Sequence, residues 1–93
     1  MTALNDRIVH DQFCFSHQDA CEAEKIAWEM RLASTVTIDL ANTEDASTAA
    51  LARLVLLRRN LLRAGRDLRL VGLHGRAGHL YHLNRLSHVL PAC

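Results

Sequence analysis

Cysteine is scarce in this chain: Cys14, Cys21 and Cys93 make an odd number, and no two form a CxxC pair. That argues against a disulfide framework and against a structural zinc site. Aromatic residues are also few, with two Phe, one Trp and one Tyr, which leaves little for stacking on single-stranded nucleic acid. The four glycines, at positions 65, 72, 75 and 78, form no phosphate-cradling loop with a following lysine. No run of about eighteen apolar residues occurs, so no transmembrane helix and no direct membrane insertion are expected. The opening stretch MTALNDRIVHD lacks a basic region followed by an apolar core. No secretory signal is therefore visible, and a cytoplasmic location is expected.

What the chain does contain is enough apolar material for a core. Its 93 residues are 49% hydrophobic and 23% charged, the composition of one small globular domain over residues 1–93 and not of a disordered segment. A domain of this size is only modestly stable alone, so burial against a partner would help it. The net charge of +1 hides a split: residues 1–45 carry nine acidic and three basic side chains, residues 46–93 one acidic and eight arginines. A basic half can be a nucleic-acid footprint. The alternative is that the arginines form the solvated face of a long helix, partly balanced by an acidic first helix. With few aromatics and no DNA-reading motif, the second reading is preferred and no nucleic-acid partner is expected.

The hydrophobic pattern is clearest between Val36 and Gly72. Val36, Ile38 and Leu40 alternate with Thr37 and Asp39, the period of a strand with one buried face. Polar residues follow from Asn42 to Asp45, then a helix from about Ser47. Along it Ala50, Leu54, Leu57 and Leu61 share a face, flanked by Leu51, Val55 and Leu62, while Arg58 falls toward that apolar arc. Gly65 supplies the stop, since glycine takes the left-handed conformation without steric penalty. Leu68, Leu70 and Val71 make the next strand, closed by Gly72. Strand, helix and strand form a βαβ unit, so the two strands should be parallel and the crossover right-handed.

Upstream, residues 7–15 read as a strand pair or one bent strand, with Ile8 and Val9 before a possible turn at His10-Asp11 and Phe13, Cys14 and Phe15 after it. Cys14 is expected to be a small core residue; Cys93, at the terminus, is expected to be exposed. Ser16 offers a helix cap with Asp19 three residues on. The helix should run from about His17 to Leu32, with Ala23, Ile26, Ala27 and Met30 on one face. Trp28 lies opposite Ile26, either partly covered by neighbouring loops or exposed as an anchor for a partner. Downstream, a last helix is expected from about Arg76 to Ser87, with Leu80 and Leu83 facing the sheet.

The central stretch resembles the STAS domain, the module shared by anti-sigma-factor antagonists and the cytoplasmic tails of sulfate-permease-type anion transporters. In that family a strand ends in Asp-Leu-Ser; eight residues after the Asp comes a second Asp, then Ser-Ser or Thr-Gly opening a helix. Here Asp39-Leu40-Ala41 matches the first part. Eight residues on stands Ser47 in place of the acid, followed by Thr48, Ala49, Ala50 and Leu51. Gly65 and the Leu-Val-Gly ending at Gly72 fall in the same ungapped register. The segment from His10 to Phe15 is similar to the short His-Gly-Gln-Leu-Phe-Phe stretch of permease-type members, with Asp11 where that stretch has glycine. The likeness covers about residues 7–91.

This resemblance implies an α/β fold: a mixed sheet of about four or five strands with about three helices packed mainly on one face. It implies a non-enzymatic module that docks a protein through the Asn42–Arg53 loop and helix start. Thr48 stands at the family's phosphoacceptor position, and Asp45, Ser47, Thr48, Arg53 and Leu56 form the expected partner-binding surface. The implied partner is an anti-sigma factor or kinase, or else the membrane domain of an anion transporter. From the residues alone, Thr48 is also a helix cap together with Ser47, and Leu56 also a single exposed leucine.

No catalytic residue, cofactor or metal is expected. Ser47, His79 and Asp39 have no nucleophile-elbow spacing. His79 and His82, three apart, could share a metal only with His74 or His88 as a third ligand, and no acidic support for them is apparent.

Overall fold

A computed structural model describes residues 7–92. Their order is β1 (Arg7–Val9), β2 (Cys14–Phe15), α1 (His17–Glu29), β3 (Thr35–Asp39), β4 (Asp45–Ala46), α2 (Thr48–Arg63), β5 (Asp67–Val71) and α3 (Gly75–Leu83), closed by a 3-10 turn at Leu86–His88. The fold is α/β with three helices and five strands. β1, β3 and β5 form one sheet with β3 in the middle, and β2 pairs with β4 in a second. Every pairing is parallel among the described residues, so the expected single mixed sheet is instead two small parallel ones. The division has a local cause. β2 and β4 each run straight into a helix cap, Ser16 and Ser47, and the Phe13 carbonyl accepts both the Glu44 and Asp45 N–H groups (3.0 Å each). The second pair therefore belongs to the helix entrances and not to the main ladder.

The βαβ unit of β3, α2 and β5 forms as its periodicity predicts, with Val36 opposite Leu68 and Ile38 opposite Leu70. Ile8, Ile38 and Leu70 share one row of the sheet, and because side chains alternate across a strand they share one face. That face meets Ala50, Leu51, Leu54, Leu57 and Leu61 of α2 and Ala20, Ala23 and Ala27 of α1 in one buried cluster. The adjacent row, Arg7, Thr37 and Arg69, points the other way. Thr37 is buried there nonetheless, with the Arg69 Nε 3.4 Å from its hydroxyl.

Several boundaries differ from expectation. α1 ends at Glu29, not Leu32, because Arg66 takes over its terminal carbonyls: the guanidinium donates to Ala27 O, Met30 O and Ala33 O at 2.6–2.8 Å. The same guanidinium lies 5.7 Å from the centre of the Trp28 ring, so Trp28 is half covered by a cation. α3 ends at Leu83, because Arg85 adopts the left-handed conformation (φ 53°, ψ 46°) and restarts the chain as a 3-10 turn. Tyr81 and Ala77 of α3 are buried, while Leu83, expected to face the sheet, is 66% exposed. Cys14 is exposed, not the core residue expected, and Phe15 is buried instead, because the two-residue strand turns alternate side chains to opposite sides. Cys93 lies outside the described residues. Gly65 (φ 77°) follows the α2 C-cap Ala64, as its position predicts.

Candidate functional site

The loop from Leu40 to Ser47 leaves the carboxyl end of β3, the central strand, and delivers the chain to α2. It is tied down on both sides. Asp39 begins it: one carboxylate oxygen accepts the Ala41 N–H (2.9 Å) and the other pairs with Arg7 (3.0 Å). Thr43 is fully buried, and its hydroxyl donates to the carbonyls of His10 (3.1 Å) and Gln12 (3.0 Å) in the β1–β2 connection. On the other side the β5–α3 connection presses against the loop. His74 Nε2 lies 2.8 Å from Ala41 O, and Glu44 O accepts the Ala77 N–H (2.9 Å). Gly72 (φ 75°) passes so close that a side chain there would sit 2.7 Å from the Ala41 nitrogen. Gly75 (φ 56°) leaves no room between its backbone and Glu44. Both positions require glycine for conformation and for close approach.

Asp45, Ser47 and Thr48 come together at the start of α2. Asp45 is half-buried; its Oδ1 accepts the Ala46 N–H (2.8 Å) and lies 3.3 Å from Arg76 Nε. Ser47 is the N-cap, accepting the Ala50 N–H at 3.0 Å. The expectation that Ser47 and Thr48 cap jointly is therefore simplified: Ser47 does the capping. Thr48, the first helical residue, is exposed. It opens on a shallow cavity of about 170 Å³ shared with Leu51, Ala52, Asn84 and Leu86.

Arg53 and Leu56 sit apart from this group. Arg53 turns toward α1, where Nη2 (2.7 Å) and Nε (3.0 Å) both donate to one Glu24 oxygen. That hydrogen bond holds the Arg53 guanidinium further above its ordinary pKa. Leu56 is 40% exposed. At 100° per residue it lies between Thr48 and Arg53 around the helix, about 12 Å along the axis from Thr48. The expected surface is thus a compact cluster of Asp45, Ser47 and Thr48 with a flank formed by Leu56 and an Arg53 already engaged with α1.

Sequence reasoning missed Thr43, Gly75 and His74, which hold the loop. Thr43 stands in a polar run and gave no sign of burial. The groups weighed for other chemistry are dispersed: Asp39 binds Arg7 and Ala41, Ser47 caps α2, and His79 faces outward on α3. Among the described residues no three His, Cys, Asp or Glu side chains converge as a metal site, and no helix is long and apolar enough to cross a membrane. Cys21 Sγ lies 3.8 Å from His17 Nδ1, one turn away on α1. No known protein family and no curated protein matches this chain.

Proposed function

We propose that this chain is a non-enzymatic, cytoplasmic regulatory module of STAS type that binds a protein partner through the Asn42–Arg53 loop and helix start. The observation that carries the reading is Thr48. Its hydroxyl is exposed at the first turn of a sixteen-residue helix, beside a loop clamped from both sides, while the neighbouring Ser47 performs the capping. A rigid loop presents a fixed shape to a partner at low ordering cost. A phosphate on Thr48 would meet the positive end of the helix dipole and add a charge of about −1.5 to −2 to the surface, enough to change its partner. Asp45, Ser47 and Thr48 form the centre of the docking surface, with Leu56 and Arg53 on its flank. The partner is an anti-sigma factor or kinase.

A second reading makes the chain the cytoplasmic domain of a sulfate-permease-type anion transporter. It is favoured by the permease-like segment ending at Phe13–Phe15, in which Phe13 is 69% exposed, and by serine standing at the acidic position before Thr48. The two readings separate in one affinity capture from cytoplasmic and membrane fractions, with wild type beside Thr48→Glu. The antagonist reading expects a soluble kinase-like protein held by wild type and lost in the variant. A permease captured equally by both forms would discard the switch and favour the transporter domain.

A further inference from the structure

The two edges of the three-stranded sheet end differently. Beyond β5 the Leu70 N–H donates to Pro91 O (2.9 Å) and Leu70 bridges to Ala92, so the C-terminal segment closes that side. Beyond β1 no strand follows among the described residues. An edge strand offers its outward N–H and C=O groups for pairing, and the ladder decides which residues these are. The His10 N–H turns inward to Asp39 O (3.1 Å). In a parallel pair, alternate residues direct their backbone groups to the neighbouring strand and the others away from it. Ile8 and His10 therefore serve β3, while Arg7, Val9 and Asp11 direct theirs outward. After Asp11 the chain turns into β2, with His10 Nε2 2.9 Å from Cys14 O. The open edge is thus a short run, residues 7–11.

The residue types on that run suit one complement. Val9 is 56% exposed. Arg7 pairs with Asp39, yet about half of its side chain remains open to solvent, and Asp11 is exposed. Charge on an edge strand normally keeps sheets from joining. Here the two charges are opposite in sign and stand two residues either side of an apolar centre. Two such runs laid antiparallel about Val9 set each Arg7 beside the other's Asp11. Opposite charges directly across a strand pair are stabilising. The same register aligns the outward backbone groups of Arg7, Val9 and Asp11 with their counterparts as hydrogen-bonded pairs. The backbone and the side chains select this arrangement independently.

We infer that β1 pairs with β1 of a second copy of this chain, antiparallel and centred on Val9, joining the two sheets into one of six strands. The arrangement is closed by a two-fold axis through the Val9 pair. On the helix side, Ile26, which shares a shallow cavity with Ile8 and Val9, borders the seam in both copies. A seam of five residues per copy is small beside a permanent interface, so the dimer forms and dissociates with concentration. The complement this edge requires, an acid and a base four residues apart about an apolar residue, is present in the chain's own residues 7–11. This pairing goes beyond the docking loop proposed above and leaves Thr48 outside the seam.

The test combines sedimentation velocity over a concentration series of the whole chain with hydrogen exchange of its backbone amides, read by NMR. A reversible dimer is expected, with the Val9 N–H exchanging more slowly as concentration rises and the His10 N–H, already bonded to Asp39, unaffected. Asp11→Arg places like charges across the seam, and dimerisation should weaken by about tenfold or more. Val9→Pro removes an outward donor and spares the β1–β3 ladder, a position where an edge strand accepts proline; it should abolish the dimer. Circular dichroism verifies that both variants keep the fold. Thr48→Glu should dimerise like wild type, which separates failure here from failure of the docking loop. A chain that stays monomeric throughout the series would overturn the inference, as would a dimer indifferent to Asp11→Arg. A Val9 N–H already protected in dilute solution would show the edge to be covered within one copy. Protection that appears only on adding a cell extract, and not with concentration, would assign the edge to a strand of another protein; either result overturns the pairing.

Discussion

At the scale of single residues, the loop depends on side chains that a sequence marks only as polar. Thr43 is the strongest case. Its hydroxyl serves two backbone carbonyls from a fully buried position, and leaving a buried acceptor without its donor costs about 1–3 kcal/mol. Thr43→Val keeps the shape and removes the hydroxyl. Its unfolding free energy should fall by that amount, read as a lower denaturant midpoint with an unchanged slope; an unaltered midpoint would mean the carbonyls of His10 and Gln12 find other donors. Such burial was not legible, because Thr43 follows Asn42 and precedes Glu44 and Asp45, a run that reads as solvated loop. Thr48 was legible as exposed and as the start of a helix. Its separation from capping was not, since adjacent hydroxyls are equivalent until the backbone chooses one.

At the scale of elements, α2 and the strands on either side of it were readable because each element's apolar period matches its own geometry. The ends of α1 and α3 were not. Arg66, more than thirty residues away, stops the first, and a left-handed arginine stops the second. Nor can a two-residue strand such as β2 announce a partner at Asp45–Ala46. The start of α1 follows from its sequence and carries a pH dependence. The Ser16 backbone N–H, with its hydroxyl, holds the Asp19 carboxyl below the ordinary carboxylate range. At the start of β5, burial pushes the Asp67 carboxyl up, but hydrogen bonds from Arg58 and the Leu68 N–H outweigh it and lower the pKa. A carboxyl depressed on folding stabilises above its unfolded value, and that contribution is lost as pH falls through the folded value. The melting temperature should therefore drop as pH falls below the unfolded carboxyl value of about 4, and the drop should be shallower in Asp19→Asn and Asp67→Asn. Identical acid profiles for the variants and wild type would rule out this linkage.

At the scale of the whole molecule, three parallel strands send their chains to the same end, and each next helix starts there. The fold is closed at the opposite extreme of the sequence by the C-terminal segment. Leu90 is fully buried, the Tyr81 hydroxyl donates to Leu90 O (2.5 Å), and Leu70 N–H donates to Pro91 O (2.9 Å). Burial also raises the pKa of Tyr81, so its hydroxyl remains a donor at neutral pH. Ending the chain after Val89 removes a core leucine, for which about 2–5 kcal/mol is typical, and strands the Tyr81 hydroxyl. In a domain whose total stability is about 5–15 kcal/mol, a large fall in melting temperature is expected by calorimetry. A shortened chain that melts like the full one would show the segment to be dispensable.

The neighbouring hydroxyls at the head of α2 divide two jobs that a single residue often has to combine. Ser47 keeps the backbone in order; Thr48 meets the outside. Drift in the outward-facing hydroxyl leaves the helix standing, so this position is free to be rewritten by mutation or by modification without the fold registering the change. The helix cap and the outward-facing hydroxyl are separately heritable, one residue apart.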